Sequence, residues 1–411
     1  MLTTRIPTIN LRFVTSVALT SAAVATFATA AHAAPVTPQQ LIDEGATSVQ
    51  LQYTDGKTTR NEHAGSADSQ GTPIQNQSHF RAGSVSKSVV STAVLQLAER
   101  GKVSLDAPIE TYLPGKYTFG KDVTVRQILG QTSGLATAAY ESKIPYDPEA
   151  ITTLKGTEEF IQQRLRDKDI TSYINQAGLS ATPGSTWQYS NANYFIASQI
   201  VSAASHVPYQ VYIHKNIFKP LKMKNSSFES HRLSLPRPYV RGYQPSEFYS
   251  GQPGGEVIDL TRQSGSMFEG SGNLVTTTGD LNIFMKALSA GTILSQDSLA
   301  AMQTPIAQNP LTYGLGLMQT QTPCGTIRGH SGNVYGYTTA SYYLGKKAVS
   351  ISVTEGTAAY GSHSENALKL AFESLCPESA DQPIDDAQLK ESLRATAPQV
   401  SSKTDATQVT Q

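Results

Sequence analysis

The spacing of apolar residues changes period along the chain, and each change predicts an element. Val49-Gln50-Leu51-Gln52-Tyr53 alternates apolar and polar positions, as a half-buried strand does, and runs into Asp55-Gly56, a strong hairpin turn signal. After Phe80-Arg81-Ala82-Gly83 the period becomes helical. Val85, Val89, Val90, Ala93, Val94 and Leu97 predict a helix from Ser84 to about Arg100, stopped by Gly101. From about 105 to 260, short helical patterns (Thr124–Leu129, Glu158–Asp167, Asn193–Ala204) are separated by loops rich in Pro and Gly. From about 265 the strand signal returns, in Thr312–Thr320, Gly325–Gly329, Gly336–Leu344 and Ala348–Val353, the last two joined by a Gly345-Lys346-Lys347 turn. An amphipathic helix, Glu365–Leu375, follows, with Leu368, Ala371, Phe372 and Leu375 on one face. The pattern predicts an α+β, two-domain fold. An antiparallel sheet built from both chain ends (about 40–105 and 265–376) is flanked by helices, and a mostly helical domain (about 106–264) is inserted between its halves. No internal repeat is visible.

The two ends differ from this body. Arg5 and Arg12 are the only charges before Asp43, an apolar stretch runs from Phe13 to Ala30, and Ala31-His32-Ala33 follows. This is the three-part pattern of an export signal cleaved after Ala33, over residues 1–33; the stretch is too short and too rich in Ser and Thr to span a bilayer well. With the signal removed no membrane anchor is expected, and the protein should be secreted or periplasmic. Residues 377–411 contain no aromatics and are dominated by polar residues and Ala, so a disordered or weakly helical tail is expected there.

Composition narrows the function. Lys+Arg and Asp+Glu balance at 32 each, with no basic block, which argues against nucleic acid as a partner. The eight His lack metal-ligand spacing and HExxH is absent, so no metal and no cofactor is expected. In an oxidising compartment the two cysteines, Cys324 and Cys376, pair by default.

Three short motifs carry the candidate chemistry. Ser84-Val85-Ser86-Lys87 opens the first predicted helix, where unsatisfied N–H groups favour negative charge. Lys87 lies one turn on, on the same face, and a serine hydroxyl needs such a neighbour to become nucleophilic near neutral pH. Tyr189-Ser190-Asn191 follows a Pro183-Gly184 turn just before a helix, and His330-Ser331-Gly332 lies on a β segment. Tyr173-Ile174-Asn175 and His63-Ala64-Gly65 repeat the second and third spacings. The former lies within a helical pattern, and the latter belongs to the first hairpin and precedes the nucleophile, so both are set aside.

In this order the motifs resemble those of the serine penicillin-recognising enzymes, most closely the D-alanyl-D-alanine carboxypeptidases of the class C β-lactamase group. Val123–Leu129 with Thr132-Ser133-Gly134-Leu135, Gly272–Thr277 with Asp280-Leu281, and Tyr313-Gly314-Leu315-Gly316-Leu317 extend the likeness over roughly residues 40 to 376. The resemblance implies a β-lactamase/transpeptidase-like fold and an acyl-enzyme on Ser84. Tyr189, its pKa lowered by Lys87, would act as base and then acid within a coupled pair. Asn191 would bind the substrate amide, and the strand with His330 and Ser331 would line the cleft. The backbone N–H groups of Ser84 and Asn333 would form an oxyanion hole, worth roughly 3 kcal/mol per donor. The implied substrates are small peptides or peptidoglycan-type peptides, with β-lactams as acylating ligands.

The likeness weakens where a carboxypeptidase must hold a free terminal carboxylate with a cation. The position after the Tyr-Gly-Leu-Gly-Leu run is Met318; Arg328, on the same strand face as His330, is the candidate substitute. D-Aminopeptidase, D-specific endopeptidase, esterase, β-lactamase and non-catalytic sensor stay open beside carboxypeptidase. A nucleophile elbow at Gly329-His330-Ser331-Gly332 is excluded, because Asn333 replaces the fifth-position Gly and a strand pattern follows instead of a helix.

Overall fold

A computed structural model of the chain describes residues 36–145, 153–245, 257–309, 311–356 and 362–377. The expected export signal (1–33) and nearly all of the expected polar tail lie outside the described residues.

The alternating segments pair as expected. Strands β1 (Ser48–Asp55) and β2 (Thr58–Gly65) form the first hairpin; β3 (Ala307–Asn309), β4 (Leu311–Tyr313), β5 (Met318–Thr322), β6 (Gly325–Val334), β7 (Tyr337–Leu344) and β8 (Lys347–Thr354) form the late meander. They join in one sheet, in the order β2-β1-β8-β7-β6-β5-β4-β3, every pairing antiparallel. The two chain ends meet where β1 pairs with β8, Leu51 opposite Ile351.

Strand periodicity decides which face each helix covers. Val349, Ile351 and Val353 of β8 pack with Leu368, Ala371 and Phe372 of helix α4 (Ser362–Leu375). Ala348 faces the other way, toward Leu281, Phe284, Met285 and Leu288 of helix α3 (Thr278–Ser289). Asn282 of α3 donates from Nδ2 to the Gln52 carbonyl at 2.8 Å, binding that helix to the sheet through a polar contact. Cys324 and Cys376 are joined, Cα–Cα 5.7 Å, tying the β5–β6 turn to the end of α4.

Between the two sheet-forming parts lie mostly helices and loops, including Val125–Leu129, Thr137–Glu141, Leu154–Ile161, Asp167–Ala177 and α2 (Asn191–Ser205). No described helix is long and apolar enough to cross a membrane.

Three boundaries differ from expectation. The Thr312–Thr320 strand is broken into β4 and β5, because Gly314 N–H donates to the Leu317 carbonyl and Gly316 adopts φ +81. The helix expected over Glu158–Asp167 instead ends at Ile161, and Asp167 starts the next one, its first turn acidic as suits a helix N-terminus. The strand expected over Gly325–Gly329 continues to Val334 and so carries the whole His330 motif.

Helix α1 (Ser86–Glu99) is buried on all sides from Ser86 to Leu97. Several of its polar residues are short hydroxyls that are bonded internally. Ser88 donates to the Gly316 carbonyl at 2.7 Å, Thr92 to the Ser88 carbonyl at 2.8 Å, and Ser91 shares a 3.0 Å bond with the Tyr194 hydroxyl. Satisfied hydroxyls can be buried at little cost.

Candidate active site

Ser84 lies in a single 3-10 turn, Gly83–Val85, that leads directly into α1. The turn abuts β6 so closely that only glycine fits on either side. A Cβ on Gly332 would come within 2.1 Å of the Ala82 carbonyl oxygen and 2.8 Å of the Ser84 nitrogen. One on Gly83, at φ +52, would meet the Asn333 nitrogen and oxygen at 2.8 Å. The third position of the His330 motif is therefore glycine for a steric reason, and the turn brings the backbone of Ser84 against that of Gly332 and Asn333.

Lys87 is fully buried one turn on. Its Nζ is 3.0 Å from Ser84 Oγ, 2.9 Å from Asn191 Oδ1 and 2.8 Å from the Ser271 carbonyl oxygen. Two of these partners can only accept. A neutral amine gives its two hydrogens to Asn191 and Ser271 and keeps its lone pair for the Ser84 hydroxyl; an ammonium donates to all three. Burial holds Lys87 well below the ordinary lysine value, with Glu141 drawing it partly back.

Tyr189 stacks beside this amine, with Lys87 Nζ 4.7 Å from its ring centroid. The expectation that Lys87 lowers its pKa is not met. Burial raises the phenol well above its ordinary value, opposed by the Ser84 hydroxyl, and the Tyr189 oxygen has no hydrogen bond of normal geometry. The two opposite shifts bias the pair toward an amine that accepts a proton and a phenol that keeps one.

The Tyr189-Ser190-Asn191 segment is held by the Gln131–Thr137 loop. Gln131, in left-handed conformation at φ +63, accepts at Oε1 from Ser190 N–H (2.9 Å) and Asn193 Nδ2 (2.5 Å). Ser133 donates to Asn193 Oδ1 at 2.6 Å, and Asn191 N–H donates to the Thr137 hydroxyl at 2.8 Å. Asn191 also reaches onward, its Nδ2 donating to Glu141 Oε1 at 3.3 Å. Glu141 further accepts from the Tyr140 hydroxyl at 3.3 Å, and burial pushes its carboxyl up to about 7. Sequence reading missed Glu141, because a single acid on a five-residue helix looks like any solvated surface charge.

His330 is fully buried. Its Nδ1 lies 2.5 Å from the Ser331 carbonyl oxygen, which can only accept, so Nδ1 carries the proton and Nε2 accepts from the Tyr313 hydroxyl at 3.2 Å. Burial, with Lys87 nearby, lowers its pKa to about 3, so the ring is neutral. The other third-motif residues point elsewhere. The Ser331 hydroxyl donates to Met318 Sδ at 3.5 Å, and Met318 is itself buried. Asn333 Oδ1 accepts from Thr338 and Ser364. Arg328 donates from Nε to Gln319 Oε1 at 2.9 Å beside Tyr343. The set-aside motifs stay apart: Asn175 accepts from Thr118 N–H, and His63 lies in β2.

A beta-lactamase family profile matches residues 38–367. The chain belongs to that family. It is 28% identical over 278 residues to penicillin-binding protein 4* of Bacillus subtilis, covering 65% of this chain and 58% of that protein. It is 30% identical over 194 residues to esterase EstB of Burkholderia gladioli, 44% of this chain and 45% of that one. The chain thus spans about half the length of the curated relatives it matches. Among solved structures, a D-stereospecific amidohydrolase from Streptomyces superposes with TM-score 0.72 at 24% identity, over 83% of this chain and 97% of the other. D-Amino acid amidase from Ochrobactrum anthropi SV3 gives 0.67 at 24%, over 87% and 96%. This chain has the fold those structures share.

Proposed function

We propose that this hydrolase cleaves small D-aminoacyl amides and peptides that carry a free amine, through an acyl-enzyme on Ser84. Lys87 takes the hydroxyl proton as Ser84 Oγ bonds to the acyl carbon, and the carbon–nitrogen bond then breaks. Tyr189 gives its proton to the leaving amine, and water releases the acid by the reverse sequence. The amides of Ser84 and Asn333 hold the oxyanion.

The observation that carries the substrate preference is Glu141, a carboxylate hydrogen-bonded to Asn191 at the end of the chain Ser84–Lys87–Asn191. It is suited to bind a substrate ammonium. A terminal carboxylate has poorer provision among the described residues: Lys87 is engaged, His330 is neutral, Met318 is buried, and Arg328 is held by Gln319. The structural neighbours, a D-stereospecific amidohydrolase and a D-amino acid amidase, agree with an amine-reading site. D-Alanyl-D-alanine carboxypeptidase is the second reading. Arg328, two residues from His330 on one strand face, and the penicillin-binding relative favour it. A disulfide suits an oxidising compartment, in keeping with export.

The test supplies D-phenylalanine amide and D-Ala-D-Ala peptides, each with a free and an N-acetylated amine. Free-amine substrates should be preferred by at least roughly tenfold in kcat/KM, the scale of one charge-assisted contact, with Glu141→Gln losing the preference. Faster release of D-Ala from N-acetylated D-Ala-D-Ala would reverse the assignment in favour of carboxypeptidase.

A further inference from the structure

Behind β6, on the side of α4, lies a buried polar group that the chemistry above does not use. Asn333 Oδ1 accepts from the Thr338 hydroxyl at 2.8 Å and the Ser364 hydroxyl at 3.0 Å. The same Thr338 hydroxyl lies 2.9 Å from Glu355 Oε1. Glu355 is 1% exposed, and its Oε2 has no hydrogen bond, facing His363 Nε2 at 3.7 Å. His363 is also fully buried, with neither ring nitrogen hydrogen-bonded.

Counting protons shows what this arrangement does. Thr338 has one hydroxyl hydrogen, for which Asn333 Oδ1 and Glu355 Oε1 compete at the short distances; the Ser364 hydroxyl, 3.3 Å from that of Thr338, can donate to Asn333 or exchange with Thr338. An ionised Glu355 can only accept, so it draws that hydrogen and leaves Asn333 Oδ1 with Ser364 alone. A protonated Glu355 can donate to the Thr338 oxygen instead, releasing the threonine hydrogen to Asn333. Asn333 is also the residue whose backbone packs against Gly83, beside the nucleophile.

We propose that Glu355 is a positioning residue that acts through Thr338 on Asn333, so that its protonation sets how firmly the oxyanion-side strand is held against Ser84. The inference rests on the reading of Asn333 N–H as an oxyanion donor. Burial pushes the Glu355 carboxyl up to about 7, which brings the change of state near neutrality. The titratable group facing Glu355 is His363 of α4, whose own value burial lowers. Glu44, after the short helix Pro38–Asp43, acts in turn on His363. On β7 and β6 the neighbours are the neutral Thr338 and Asn333, and Thr47 donates to the Glu355 carbonyl.

The test follows hydrolysis of p-nitrophenyl acetate, which lacks a free amine and so does not involve Glu141, from pH 5 to 9. Glu355→Gln, which can donate to Thr338 at every pH, and Thr338→Val, which cannot relay, are compared with the wild type. The ratio of Glu355→Gln to wild-type kcat should rise by roughly three- to tenfold from pH 5 to pH 9, the scale of one modest hydrogen bond. Thr338→Val should lower kcat by a similar factor with KM within about twofold. A constant ratio with an unchanged Thr338→Val kcat overturns the inference while leaving acylation at Ser84 intact. If Glu355→Gln does not fold, the Thr338→Val kcat decides alone. An ester that never labels Ser84 in the wild type removes both this inference and the proposed acyl-enzyme.

Discussion

Replacing Lys87 with methionine tests the core of the mechanism, because it keeps the buried stem and removes only the amine. Three contacts disappear, to Ser84 Oγ, Asn191 Oδ1 and the Ser271 carbonyl. If the neutral amine is the base, its loss costs the proton-transfer contribution of roughly 10²–10⁴ in rate. That corresponds to about 3–5 kcal/mol of barrier. Stability is subject to two opposing changes. Each stranded carbonyl costs about 1–3 kcal/mol, offset by no longer burying an ionisable group. The pH dependence has a definite sign. Because the folded Lys87 value lies well below 10.5, the unfolded chain binds more protons between the two values. Wild-type stability therefore rises with pH across that window, and Lys87→Met should flatten this component. The assay is the burst of p-nitrophenol on mixing with p-nitrophenyl acetate, followed by stopped flow from pH 5 to 9, beside urea unfolding at the same pH values. Because only the deprotonated amine can act as base, the wild-type burst rate should climb with pH through the Lys87 titration, which lies below the ordinary lysine value. A Lys87→Met burst within tenfold of wild type, in a folded protein, would refute the assignment of the amine as base.

Other consequences can be checked directly. His330, held neutral with a pKa of about 3, should show no imidazole titration by NMR between pH 5 and 8; a midpoint near 6.5 would contradict its burial. Gly332→Ala should displace the Ser84 turn or strain the strand by roughly 1–3 kcal/mol. Its added methyl meets the Ala82 carbonyl oxygen at 2.1 Å, so a variant with wild-type burst rate and urea midpoint would count against that packing. Breaking the Cys324–Cys376 bridge, which closes 52 residues, should lower unfolding stability by about 4 kcal/mol in the chain-entropy account. An unchanged urea midpoint in the Cys324→Ser, Cys376→Ser double variant would argue that the reduced chain is already constrained.

Much of this molecule is legible along the chain because the relevant signals are local. Alternation in Val49–Tyr53 and in Ala348–Val353, the Asp55-Gly56 turn and the helical period after Ser84 each depend on neighbours within a few residues, and each formed. The Ser84–Lys87 contact is local too, since one helical turn brings those side chains together. Failures occurred where a local pattern met a distant constraint. The β strand expected through Tyr313–Leu317 gave way to a turn at Gly314 and Gly316. The burial of Ser88 and Ser91 in α1 likewise depends on distant partners, the Gly316 carbonyl and the Tyr194 hydroxyl.

Ionisation lay beyond the sequence altogether. Proximity to Lys87 suggested a lowered Tyr189 pKa, but desolvation outweighs a neighbour that is itself held toward neutrality, so the phenol rises. Glu141 and Glu355 are ordinary acids in the sequence, and only burial against Asn191 or Thr338 makes their charge consequential. Residue order by itself determined the nucleophile motif, the strand and helix periods and the sheet drawn from both chain ends. Tertiary structure decided which groups are dry, which protons they keep and which carboxylates face the reacting chain, because solvent exclusion is a property of the packed whole and not of neighbours in sequence.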